Sequence, residues 1–156
     1  MYDDIDEDLQ KAYNPANIAK NQRNNKFPEV DAEVSADLLK VVKVKTRKGT
    51  LYEFKFAIEN SNTESVLVDA TYTLAFFPGG EDEDKNAMFW EKVTPLLMAV
   101  YGEKNVLTFN SIEKLGELLS LSKGEDDLHF GFRMSRKMAA CKPDKKTGIV
   151  KHIDPA

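Results

Sequence analysis

Two stretches of this chain concentrate cations. Lys43, Lys45, Arg47, Lys48 and Lys55 fall within thirteen positions, and Arg133, Arg136, Lys137, Lys142, Lys145 and Lys146 within another fourteen. Rings lie between and beside them: Tyr52, Phe54 and Phe56 alternate with Glu53 and Lys55, and Tyr72, Phe77 and His129 follow. Cations in a row suit a polyanion, and flat rings at intervals suit exposed base faces, so the combination points to a single nucleic-acid strand. Tyr52, at the edge of its row and carrying a hydroxyl, is the expected stacking ring there, with Phe54 and Phe56 assigned to the core. Tyr72 is a second candidate, and Phe77 and His129 at strand ends are others. The blander reading of any one lysine is a solvated strand face; the clustering in two loops is what favours a ligand. Trp90, on a helix away from those loops, is read as packing or an interaction surface.

Other chemistry has little to stand on. The two histidines, His129 and His152, are 23 positions apart and the one cysteine, Cys141, is beside neither. The acidic runs Glu81 to Asp84 and Glu125 to Asp127 have the residue type that brings metal ions to a phosphate, but they fall in loops, whereas active-site acids belong on rigid elements. No enzyme activity, cofactor or metal is expected.

Composition bounds the setting. With 156 residues, 42% hydrophobic and 31% charged, the chain suits one domain with a real core. A lone cysteine permits no intrachain disulfide and fits a reducing compartment. The beginning, MYDDIDEDLQ, is acidic where a secretory signal is basic then apolar, and no run approaches the roughly 18 apolar residues of a membrane span. The net charge of -4 is unevenly spread. Residues 33–58 hold 6 Lys/Arg against 3 Asp/Glu and residues 130–156 hold 7 against 2, while residues 59–129 hold 5 against 14. Local field, not net charge, draws a polyanion.

Positioning these residues requires elements, and their order is informative. Residues 1–32 open with five acids in the first eight positions and continue through an Asn- and Pro-rich stretch without apolar periodicity, which reads as a flexible acidic segment ahead of a domain at 33–156. Period-two patterns predict strands over Leu38 to Val44, Leu51 to Glu59 and Val66 to Phe77, with Thr46 to Gly49 as a turn. On this parity Lys43, Lys45 and Lys55 lie opposite the aromatic row and point outward. Phe89, Val93, Leu96, Leu97 and Val100 predict a helix over Ala87 to Tyr101, stopped by Gly102 and kinked or restarted at Pro95. Asn110 to Ser122 reads as a short second helix, and His129 to Ile153 as two strands around a loop at Pro143 to Gly148. The fold class is mainly β: a five-stranded OB-fold barrel with a helix between strands three and four, whose loops between strands one and two and between strands four and five grip ligands.

The pieces FPEVDAEV, LLKVVKVKTRKG, YEFKFAIENSN, VLVDATYT and KNAMFWEKVTPLLMAVYG, with the basic C-terminal hairpin, resemble the OB-fold single-stranded-DNA-binding proteins of tailed bacteriophages from about Phe27 to Ala156. That family commonly places a glycine at the position of Asp69. The resemblance implies sequence-independent binding that protects and organises single-stranded DNA during phage replication or recombination, in the cytoplasm of an infected bacterium. In many single-strand binders an acidic tail, usually at the C-terminus, recruits partner enzymes of replication or recombination or competes with DNA for the basic groove; here VKHIDPA is not acidic, and MYDDIDEDLQ is expected to play that role from the other end. A homo-oligomer is compatible with this picture, and membrane association is not expected. The alternative is a protein-interaction or structural phage module on the same barrel, since fold does not fix function.

Overall fold

The computed structural model describes residues 5–24, 32–62, 66, 68–69, 71–124, 126–136 and 145–146, with 22–24, 32 and 134–136 described by backbone alone. Four helices and four strands run in the order α1 (Glu7–Lys11), α2 (Pro15–Asn24), β1 (Ala32–Thr46), β2 (Gly49–Ser61), β3 (Thr71–Phe76), α3 (Glu83–Tyr101), α4 (Ser111–Leu121) and β4 (Phe130–Arg136). The strands form one antiparallel sheet in the order β3-β2-β1-β4. Among the described residues the sheet is open: no closed barrel forms, and the expected fifth strand lies outside them.

One face of the sheet holds the core. Tyr52, Phe54, Phe56 and Ile58 of β2 are all buried, as their alternation with Glu53, Lys55 and Ala57 requires. Against them pack Phe89, Trp90, Val93, Leu96, Leu97 and Val100 of α3 and Leu115, Leu118 and Leu119 of α4, so the helices cover this face. Helix α3 begins at Glu83, four residues before the expected start at Ala87 and inside the acidic run. Asp82 is its N-cap, accepting from the Lys85 amide at 3.2 Å, with Glu83 and Asp84 in the first turn against the dipole. The helix continues through Pro95 and ends at Gly102 in the left-handed region at φ 68°. Asn110 caps α4 in the same way, accepting from the Glu113 amide.

Two expectations change. Residues 5–24 are not a loose lead: Ile5, Leu9 and Ile18 are buried in the main core, and the Trp90 indole donates to the Leu9 carbonyl at 2.7 Å. Tyr13 clamps the same region, its hydroxyl donating to the Phe109 carbonyl at 2.7 Å and accepting from the Ser111 amide at 3.0 Å. Sequence periodicity missed this because α1 has five residues and contributes one buried side chain, too few to show a helical stripe. The third strand is also shorter than its alternation suggested. Val68 and Asp69 form a turn, with Asp69 at φ 64° and its amide donating to Ile58 at 2.8 Å, so β3 starts at Thr71. Among the described residues, no helix is long and apolar enough to cross a membrane.

Candidate nucleic-acid interface

The hairpin of β1 and β2 carries the first basic cluster. Thr46 pairs with Gly49, leaving Arg47 and Lys48 as the two turn residues. Thr46 Oγ1 donates to the Gly49 carbonyl at 2.8 Å and accepts from the Lys48 amide at 3.3 Å, while Gly49 takes φ 125°, a value that favours glycine. Lys45, Arg47 and Lys48 are all exposed, so three cations project from a turn fixed by one threonine.

Within the strands, register decides what each lysine faces. Leu38 pairs with Phe56, but Lys40 pairs with Lys55, so Leu39 is an extra residue, a β-bulge in β1. The bulge is held on its other edge: the Leu39 carbonyl accepts from the Leu128 amide at 2.9 Å, and the Val41 amide donates to Ser122 Oγ at 2.9 Å. Beyond it the faces exchange. Val34, Ala36, Leu38 and then Val41 line the core, and Lys43 pairs with buried Tyr52 on that same face. The outward direction expected for Lys43 is therefore corrected: its ammonium donates to Asp6 at 2.8 Å and its side chain is only 24% exposed. Lys45 shares that parity but lies past the core, opposite Thr50, and is exposed. Lys55 does point away from the core, beside Lys40 on one side and Thr73 on the other.

The two tyrosines proposed to stack on bases are buried. Tyr52 is fully enclosed and its ring lies 5.3 Å from that of Phe89, while Tyr72 is 6% exposed and stacks on Phe56 at 5.9 Å. Both fall on the core parity of their strands, and burial of a whole aromatic ring outweighs the cost of enclosing one hydroxyl that finds a partner. Among the described residues the exposed rings are Phe77, at 64%, and His129. Phe77 follows Phe76, whose partner is Tyr52, so it sits at the end of the sheet where β2 begins and the basic turn projects.

The second basic cluster is seen in part. Arg133 is exposed on β4, paired with Ser35 on the face away from the core. Arg136 pairs through its backbone with Ala32, Lys145 and Lys146 form an exposed turn, and Lys137 and Lys142 lie outside the described residues. At the start of β4, His129 Nδ1 meets Asp37 Oδ2 at 2.7 Å in an exposed contact. The hydrogen bond and then the charge of Asp37 raise the imidazole pKa above its ordinary value, aided by Asp127 and Glu59 and opposed by slight desolvation.

Sequence reasoning missed Lys40, because period two counted straight through β1 cannot see the bulge that turns it outward. No protein-family model, curated protein or solved structure gives a significant match to the chain.

Proposed function

We propose that this protein binds single-stranded DNA without sequence preference, through the sheet face opposite the helices and the β1–β2 turn. The observation that carries the reading is the hairpin itself. It displays Lys45, Arg47 and Lys48 at its tip and Lys40 and Lys55 along the face opposite the helices, with the exposed ring of Phe77 at the same end. Cations track the phosphates and the ring offers a stacking surface, a combination indifferent to base identity. Asp82, Glu83 and Asp84 serve the α3 N-terminus, which gives the largest acidic run a structural task.

The sheet order supports an OB-type plan. A first strand flanked by the second and the fourth, with a helix between the third and fourth, is what such a barrel has before its last strand is added. In this reading Lys145 and Lys146 belong to the loop before the expected fifth strand, which lies outside the described residues. The role that follows is protection and organisation of single strands in phage replication or recombination, without catalysis.

Fluorescence anisotropy with labelled oligo-dT and a duplex of equal length, at two salt concentrations, tests the proposal. Single-strand preference that weakens with salt is the expected result. No binding at low salt would remove the nucleic-acid reading in favour of a protein-interaction module. Charge reversal of Arg47 with Lys48, and separately of Lys145 with Lys146, then assigns the strand to one turn or both.

A further inference from the structure

Among the described residues, the pairing of Lys40 with Lys55 is the one place on the face opposite the helices where two like charges stand directly across neighbouring strands. Such a pair destabilises a sheet, since side chains in register have their Cβ atoms only about 5 Å apart. Among the described residues neither lysine forms an ion pair, whereas Lys11, Lys43 and Lys114 do. Glu53, two positions along β2 on the same face, does not reach Lys55 within salt-bridge distance, and Asp37 is engaged by His129. Both lysines are half-buried at the level of the whole residue, a state in which a lysine covers its stem and keeps its ammonium group in water.

The juxtaposition is imposed by the backbone. Without the extra residue at Leu39, Lys55 would face Leu39, and Lys40 would face Phe54 on the core side. Two other elements hold the bulge in place, the serine that ends α4 and the Leu128 amide ahead of β4. Thr73 continues the same row on β3, so Lys40, Lys55 and Thr73 stand in register across three strands spaced roughly 4.8 Å apart.

We propose that Lys40 and Lys55 together hold one backbone phosphate of the bound strand, with the β1 bulge as the device that aims Lys40 and Thr73 at the edge of the same site. This rests on the single-strand-binding reading and adds a residue and a fixed point on the strand path to it. An anion between the two ammonium groups converts their repulsion into two attractive contacts, so the ligand supplies the counter-charge that the chain omits.

The experiment uses the full chain with Lys40→Gln, Lys55→Gln, the double variant and Lys40→Arg. Oligo-dT affinity is measured across a salt series, and thermal melting is followed with and without inorganic pyrophosphate. Both glutamine variants are expected to weaken oligo-dT binding and to lower the slope of log K against log salt by about 0.7, the contribution of one phosphate contact on a single strand. The double variant should lose little more than either single one, because both side chains serve one phosphate. Lys40→Arg should retain binding. Pyrophosphate should raise the melting temperature of the native chain and leave that of the double variant unchanged. If the native chain binds oligo-dT and the double variant keeps the same affinity and slope, the clamp is wrong and the function stands. If oligo-dT does not bind but pyrophosphate still distinguishes the two proteins, the anion site stands and the DNA reading falls. If pyrophosphate stabilises both proteins equally or neither, and oligo-dT fails as well, both ideas are overturned.

Discussion

Asp69 occupies the left-handed region at φ 64°, where a side chain is disfavoured by about 1 kcal/mol and a glycine is not. Aspartate is one of the few non-glycine residues that tolerate this conformation. Asp69→Gly is therefore expected to leave the turn intact and change stability by no more than about 1 kcal/mol, whereas Asp69→Val should cost more; urea melts of the two variants check this. His129, the other non-glycine residue with positive φ, is tied to Asp37. Its pKa is raised in the folded chain, so the contact stabilises fully below pH about 6.5, the unfolded value, and fades as pH rises through the folded pKa. An NMR titration of the imidazole should show a raised midpoint that Asp37→Asn returns toward the ordinary histidine value; a midpoint unmoved by that substitution would show that Asp37 is not the cause.

At the scale of elements, the β1 bulge and the N-terminal helices decide which sequence patterns could be read. The alternation in β2 made Phe54 and Phe56 legible as core, because nothing interrupts the strand between Leu51 and Ile58, whereas Tyr52, expected to stack on a base, is buried with them. The same counting failed in β1, where Leu39 shifts the phase and turns Lys43 to the core side. Gly102 marked the end of α3 correctly, since a left-handed glycine satisfies backbone groups by local chemistry that survives in any context. Docking of α1 was illegible, because a single leucine and a carbonyl accepted by Trp90 are tertiary facts. Leu9→Ala should cost about 2 to 5 kcal/mol in chemical denaturation, the range for emptying a buried leucine site. Asp6→Asn, in a half-exposed pair, should cost under about 1 kcal/mol. It releases the charge of Lys43 and, on the proposed function, should strengthen oligo-dT binding at low salt. Truncating residues 1–10 would merge these two effects, which the substitutions keep apart. Ser122→Ala strips the Val41 amide of its acceptor and should cost about 1 to 3 kcal/mol, measured in the same way.

For the whole molecule, the division of labour between the two sheet faces has an optical consequence. The chain has a single tryptophan, Trp90, fully buried under the helices, bonded to Leu9 and edge-on to Tyr13 at 5.1 Å. Its emission therefore reports on the seam between the N-terminal helices and the core, not on a ligand lying across the opposite face. Oligo-dT binding should leave the emission maximum unchanged, while Leu9→Ala should shift it to the red at denaturant concentrations where the sheet's circular dichroism is still intact. A steady tryptophan signal during a DNA titration would then mark where the ligand sits, and one native chromophore separates release of the N-terminal helices from melting of the sheet.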